Sequence, residues 1–276
     1  QLALSGAGLL IIEASAVEPE GRISAQDLGL WSDANEAALA RVLEAVRAHS
    51  NMPIAIQIGH AGRKASVARP WEGGAQIAPS AGGWQTVAPS AQPHAPGEHP
   101  PVALDASGLE RIRTAFADTA RRAARLGLDA IEVHAAHGYL LHQFLTPLAN
   151  ARGDEYGGSL DNRMRFPLEV FDAVRAAFPA DKPVGVRISA SDWVDGGWDV
   201  DQSVVFTQAL KARGAAYIHV SSGGASPLQQ IPAVPGYQVA FAERIKRDGG
   251  LPTIAVGLIT EAEQAEAIIA SGQADF

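Results

Sequence analysis

Short apolar runs alternate with segments of helical period along nearly the whole chain, and no tight hairpin joins one run to the next. The runs are GLLIIEAS (8–15), PIAIQIG (53–59), LDAIEVH (128–134), PVGVRIS (183–189), AAYIHVSS (215–222) and PTIAVG (252–257). Strands separated by helices pair in parallel, which leaves a doubly wound α/β sheet or a (β/α)8 TIM barrel. No G-x-G-x-x-G fingerprint follows the early strands, which counts against the doubly wound form. The opening QLALSG reads as the tail of a helix, and ADF (274–276) reads as the start of a further strand. A barrel removes its edges by closing on eight strands. The expectation is therefore a single barrel domain over 1–276 that lacks the first strand and most of the eighth βα unit.

The helical segments carry start signals. Asp33 with Glu36, Ser107 with Glu110, and Thr260 with Glu263 all have capping-box spacing. The stretch from 60 to 105, rich in Pro and Gly, is too long for an ordinary loop and is expected to be a functional insertion or small subdomain. DEYGGSLDNRMRF (154–166) reads, on composition alone, as a solvated loop leading into a helix.

The chain has 276 residues, a net charge of −8 and no cysteine. An acidic chain without a basic stripe argues against a nucleic-acid partner. The first apolar stretch meets Glu13 well short of the ~20 residues a transmembrane helix needs, so no membrane association is expected. With no disulfide framework possible, the reducing cytoplasm is the expected compartment.

Strand parity decides which side chains share a face. Ile54, Ile56 and Ile58 share one face, as do Ile131 with Val133, and Val184 with Val186 and Ile188. The opposite parity holds Gln57 and Gly59, Glu132 and His134, and Gly185, Arg187 and Ser189. Large aliphatics suit the layer beneath helices, so Gln57, His134 and Arg187 are expected to face the barrel axis near the C-terminal ends of their strands, where barrel enzymes place their sites.

The segment HAAHGYLLHQFLTP (134–147) puts two imidazoles three apart and a phenol two further on. His134 and His137 are half of a metal site at most. No third ligand accompanies them, and no metal is expected. They can also be a satisfied buried pair, or two donors gripping one oxygen, which neutral imidazoles do if each offers an N–H. Tyr139 either packs its ring or donates a proton. Arg187 either pairs with Glu132 or presents a fixed cation to a ligand. Gln57 offers a donor and an acceptor to the edge of a heterocycle. Gly257, at a strand end, is part of either a phosphate-binding turn or an ordinary βα turn.

HAAHGYLLHQFLTPLANARGDEYGGSLDNRMRF resembles the signature of the old yellow enzyme family of flavoprotein reductases (NADH:flavin oxidoreductases and NADH oxidases). IIEASAVEPEGRIS, IAIQIGHAGRKAS, VGVRISASDW and IAVGLIT match in order, so the likeness covers essentially the whole chain. GRKAS with GWQTVAPSA is similar to the branch of xenobiotic reductases and thermophilic-like ene-reductases. The resemblance implies a barrel with FMN across its mouth, touching Ala14, Gln57, Arg187 and, near the phosphate, Gly257. It makes His134 and His137 the pair that binds a carbonyl or nitro oxygen, and Tyr139 the proton donor. NADPH or NADH would deliver the hydride, Arg187 would steady the negative charge left on the flavin, and the kinetics would be ping-pong. Small enone or nitro substrates and homo-oligomers are further implications. The flavin-tuning cysteine, the tyrosine after the first strand and the Gly-Arg after the eighth strand that mark the branch have no counterpart here, in line with the expected truncation. Two alternatives follow from the same resemblance. One is a 2,4-dienoyl-CoA reductase-like flavoprotein with an iron–sulfur domain beyond residue 276. The other is a catalytically incompetent flavin-binding fragment.

Overall fold

The computed structural model describes residues 2–276. Its strands are β1 (Leu10–Ala16), β2 (Ile54–Gly59), β3 (Val87–Ala88), β4 (Val102–Ala103), β5 (Ala130–Ala135), β6 (Val184–Ser189), β7 (Ile218–Ser221) and β8 (Thr253–Ala255). The helices are α1 (Asp33–Arg47), α2 (Ala106–Arg125), α3 (Leu140–Leu145), α4 (Leu160–Ala177), α5 (Val200–Ala212), α6 (Val239–Arg244) and α7 (Ala262–Ala270). Six strands form one parallel sheet in the order β1-β2-β5-β6-β7-β8. A doubly wound sheet reverses its strand order at a switch point. This order never reverses, so the winding is that of a (β/α)8 barrel, of which the described residues supply six strands. Asp275 and Phe276 run beside β8, donating to Thr253 O and, at Phe276 O, accepting from Ala255 N.

Parity holds in the core. Ile54, Ile56, Ile58, Ile131, Val133, Val184, Val186 and Ile188 are all buried in one hydrophobic cluster with the helices. Helix α2 buries Leu109, Ile112, Phe116, Ala120 and Ala123, a stripe at three- and four-residue spacing. Phe166, Val170, Phe171 and Val174 do the same for α4.

The starts of three helices differ from the capping-box reading. Ser32 caps α1, its hydroxyl accepting from Asn35 N at 3.2 Å. Glu36 is drawn instead to Arg122 and Arg125 of α2. Asp105, not Ser107, caps α2 by accepting from Gly108 N at 2.8 Å. Helix α7 begins after Glu261 with no side-chain cap, so Thr260 and Glu263 form no box. Spacing alone could not distinguish these frames, because each region holds several residues with cap chemistry.

DNRMRF is also not a solvated loop. Helix α4 starts at Leu160, and Arg163 and Met164 are buried. The Arg163 guanidinium donates to Gly158 O and to Leu145 O, tying the start of α4 to the end of α3.

The segment from 60 to 105 is anchored rather than free. It contains the two-stranded parallel pair β3–β4 and three single 3-10 turns. Trp84 donates its indole N–H to Glu20 O at 2.9 Å, and Arg152 donates to Leu104 O at 2.6 Å and to Pro89 O at 3.0 Å. Among the described residues, no helix is long and apolar enough to cross a membrane.

Candidate active site

Strand β5 ends at Ala135 and the backbone then turns sharply. His137 and Gly138 both take left-handed backbone, with φ of 59° and 71°. A Cβ on Gly138 would lie 2.0 Å from Gly224 O, so only glycine fits this close approach to the loop after β7. The turn folds His137 back over the strand end. The ring centroids of His134 lie 5.0 Å from those of both His137 and Tyr139, in edge-on arrangements.

Hydrogen bonds define the His134 tautomer. Its Nδ1 accepts from Ala136 N at 3.2 Å, which leaves the proton on Nε2. That Nε2 faces His137 Nδ1 across 3.3 Å, and His137 Nε2 lies 2.8 Å from Ser221 Oγ. Burial holds His134 well below the usual imidazole pKa, with the neighbouring charges of His137 and Arg187 adding to the effect. Burial, then Arg187, pulls His137 down to about 3. Both rings are therefore neutral near pH 7. Burial, then Asp27, raises the Tyr139 hydroxyl, which keeps its proton.

Four strand-end loops are laced together around this turn. His137 N donates to Ser189 Oγ at 2.8 Å, and that hydroxyl donates to Gly223 O at 2.8 Å. Lys64 Nζ donates to His137 O at 2.8 Å and to Gly224 O at 3.0 Å. Burial, reinforced by Arg63, lowers the Lys64 ammonium to about 8. Gly138 N donates to His142 Nδ1 at 2.9 Å, while His142 Nε2 sits 3.0 Å from Asp192 Oδ1 in a fully buried contact. The imidazoles thus rest on a frame contributed by the segments after β2, β5, β6 and β7.

The inner face of the sheet carries two polar layers. In the deeper one, Gln57 of β2 is level with Glu132 of β5. Gln57 Nε2 donates to Glu132 Oε1 at 2.6 Å, and His219 Nδ1 lies 3.0 Å from Glu132 Oε2. In the layer nearer the mouth, His134 is level with Arg187, and Arg187 with His219. Glu132 is thus committed to Gln57 and His219 and forms no ion pair with Arg187. Arg187 Nε is buried with no hydrogen-bond partner among the described residues. Burial lowers the guanidinium's pKa and the field of Glu132 partly restores it.

Ala14, His134 and Tyr139 line one cleft at the mouth, together with His60 and Asp27. Gln57, His134 and Arg187 share the inner face as expected, with Gln57 one layer deeper. Gly257 does not line that cleft. It borders a separate hollow with Leu258, Ile268 and Phe276. A Cβ there would lie 2.5 Å from Gln238 Nε2, so Gly257 packs closely on Gln238, whose Oε1 accepts from Ser222 at 2.5 Å. Ser221, Ser189, Lys64 and His142 went unassigned in the sequence. Parity alone puts Ser189 on the face of Arg187 and Ser221 on that of His219. No periodic signal marks Lys64 or His142.

The residues fit the flavin that the resemblance implies. A buried guanidinium N–H such as that of Arg187 Nε is costly unless an electron-rich partner meets it. Beside it stand neutral imidazole donors, and no described residue donates to the Gln57 carbonyl oxygen. Among the described residues, no group of three or more His, Cys, Asp or Glu could hold a metal ion.

The whole chain, residues 1–276, matches the NADH:flavin oxidoreductase / NADH oxidase family. An NADPH dehydrogenase of Geobacillus thermodenitrificans is 45% identical over 274 residues, covering 99% of this chain and 75% of that protein. The structure of morphinone reductase in complex with tetrahydroNAD superposes with a TM-score of 0.79 at 32% identity, covering 99% of this chain and 74% of the other. The 2-naphthoyl-CoA reductase–2-naphthoyl-CoA complex gives a TM-score of 0.85 at 25% identity, with 99% of this chain spanning 42% of that longer one. Strand order, inner-face polarity and sequence agree: the chain belongs to the NADH:flavin oxidoreductase / NADH oxidase family of flavin- and nicotinamide-dependent enzymes, the old yellow enzymes.

Proposed function

We propose that this chain is one FMN-binding unit that reduces the activated C=C bond of α,β-unsaturated carbonyl or nitro compounds, with NADPH or NADH as electron source. The observation that carries the reading is the facing pair His134 Nε2 and His137 Nδ1, 3.3 Å apart, beside the unpartnered Arg187. The chemistry FMN supplies when bound is two-electron hydride transfer. Ala14, Gln57 and Arg187 would hold the ring, and Gly257 the phosphate side. Helix α7 carries Glu261 and Glu263 at its start, so a phosphate there depends on backbone N–H groups of the Gly257 turn rather than on the helix end.

The protein's own residues then do three things. His134 and His137 direct N–H groups at one substrate oxygen and stabilise the charge that grows on it during reduction. Because both are held neutral, they do so without an acid to lose at physiological pH. Tyr139, its hydroxyl kept protonated, stores the proton that the α-carbon receives. Arg187 would offer a fixed positive charge to the negative charge that a bound flavin takes up.

The 45% identity to an NADPH dehydrogenase favours NADPH as the electron source. The test is to load the protein with FMN, bleach it with NADPH without oxygen, and add cyclohexenone. Recovery of the yellow colour with saturated ketone as product, and ping-pong kinetics, is the expected outcome. A protein that refuses FMN, or that bleaches and is not reoxidised by any enone or nitroalkene, would end the reading.

A further inference from the structure

We propose that Ser221 is a positioning residue whose hydroxyl reverses its hydrogen bond so that His137 can change tautomer when a ligand oxygen arrives. This rests on the reading of His134 and His137 as the oxygen-binding pair and explains how that pair becomes a double donor. Ala136 N fixes the His134 proton on Nε2, which points at His137 Nδ1 from 3.3 Å. Two N–H groups facing each other at that separation repel. In the ligand-free site, His137 Nδ1 is therefore the acceptor and its proton sits on Nε2, donated to Ser221 Oγ at 2.8 Å.

That tautomer cannot grip a carbonyl with both rings. When an oxygen comes within reach of both nitrogens from the open side of the pair, the favourable arrangement puts the second proton on His137 Nδ1, so that both rings donate to it. His137 Nε2 then becomes a buried acceptor that needs a donor. Ser221 is the group in contact that can supply one, because a hydroxyl both accepts and donates. Its alternative acceptor is weakly held: Gln238 Oε1 lies 3.4 Å from Ser221 Oγ and is already taken by Ser222 at 2.5 Å. One proton leaves Nε2 and one reaches Nδ1, exchanged through water before the ligand seals the site, and the net charge is unchanged. The left-handed backbone of His137 and its N–H bond to Ser189 keep the ring in place while the proton moves.

The experiment uses the oxidised, FMN-loaded protein, in which cyclohexenone binds without being consumed. Nitrogen-15 histidine spectra report which ring nitrogen carries the proton. The expected result is His137 protonated on Nε2 in the free protein and on Nδ1 with cyclohexenone, while His134 stays on Nε2. In Ser221→Ala the liganded shift is lost and the cyclohexenone Kd rises about tenfold, the factor for one buried acceptor left unpaired. Ser221→Thr keeps the shift, with a Kd within about threefold of the parent. If His137 stays on Nε2 while both histidine signals respond to cyclohexenone, the proposal falls and the oxygen-binding reading survives. If neither histidine responds, the oxygen-binding reading falls and takes the proposal with it. An Ala variant that binds and shifts like the parent also overturns it. Should the Ala variant fold poorly, the parent and Thr spectra still decide.

Discussion

The two polar layers inside the sheet have similar residue types and opposite states. In the deeper layer both oxygens of Glu132 are met within the protein, by Gln57 Nε2 and by His219 Nδ1. His219 Nε2, level with Arg187, is buried with no partner among the described residues and belongs with the layer at the mouth. In the layer at the mouth, Arg187 has a buried N–H with no partner, and the two imidazoles are met by each other and by Ser221. A buried network that closes on itself contributes to folding, while one left open is stable only with a further partner. The difference separates structure from function within one face of one sheet.

The separation can be broken by mutation, and the largest effect falls at the mouth. Replacing both His134 and His137 with alanine is expected to lower kcat/KM for an enone by about a thousandfold, the scale for losing preorganised donors to a developing oxyanion. FMN binding and thermal stability should stay close to the parent's, which absorbance titration and a melting curve would check. A large loss of Tm would place these residues with the deeper layer instead.

Glu132→Ala should show the reverse. Two buried donors lose their acceptor, which costs about 3 kcal/mol and lowers Tm by several degrees. Below that Tm, folded protein should still bind cyclohexenone. A variant as stable as the parent would show that the deeper layer is not the structural one.

A smaller effect comes from pH. His137 and His94 have folded pKa values of about 3 and 4, and His134 is also well below 6.5. Between those values and 6.5 the unfolded chain binds more protons than the folded one. Stability therefore rises with pH across that window and falls as pH drops from about 6.5 towards 4. Oxygen binding should stay flat from about pH 5 to 7, below the value of about 8 at which Lys64 titrates, because the imidazoles remain neutral and Tyr139 remains protonated. A binding arm centred near 6.5 would mean that one imidazole titrates normally.

How far the sequence could be read depends on which forces act locally. Alternation along Ile54–Ile58 and Val184–Ile188 made the core face legible, and with it the inner positions of Gln57, His134 and Arg187. Strand order followed from the run of βα units. What escaped were partnerships chosen in three dimensions. Glu132 was a candidate partner for Arg187, but strand register sets it level with Gln57, and His219 arrives from a strand 87 residues away. The Gly138 turn depends on the backbone of Gly224, which no spacing encodes. Caps were misplaced by one or two residues at Asp33 and Ser107 because neighbouring residues compete for the same N–H groups. DNRMRF read as exposed because its charge hid the burial of Arg163 against two carbonyls.

The claim that the open layer is a cofactor site is tested most directly by titrating FMN into Arg187→Met and into the parent chain. The account predicts a Kd raised about tenfold to a hundredfold with an unchanged melting temperature for the cofactor-free protein, since the lost guanidinium bonds nothing within the fold. An Arg187→Met protein that binds FMN as tightly as the parent would contradict it.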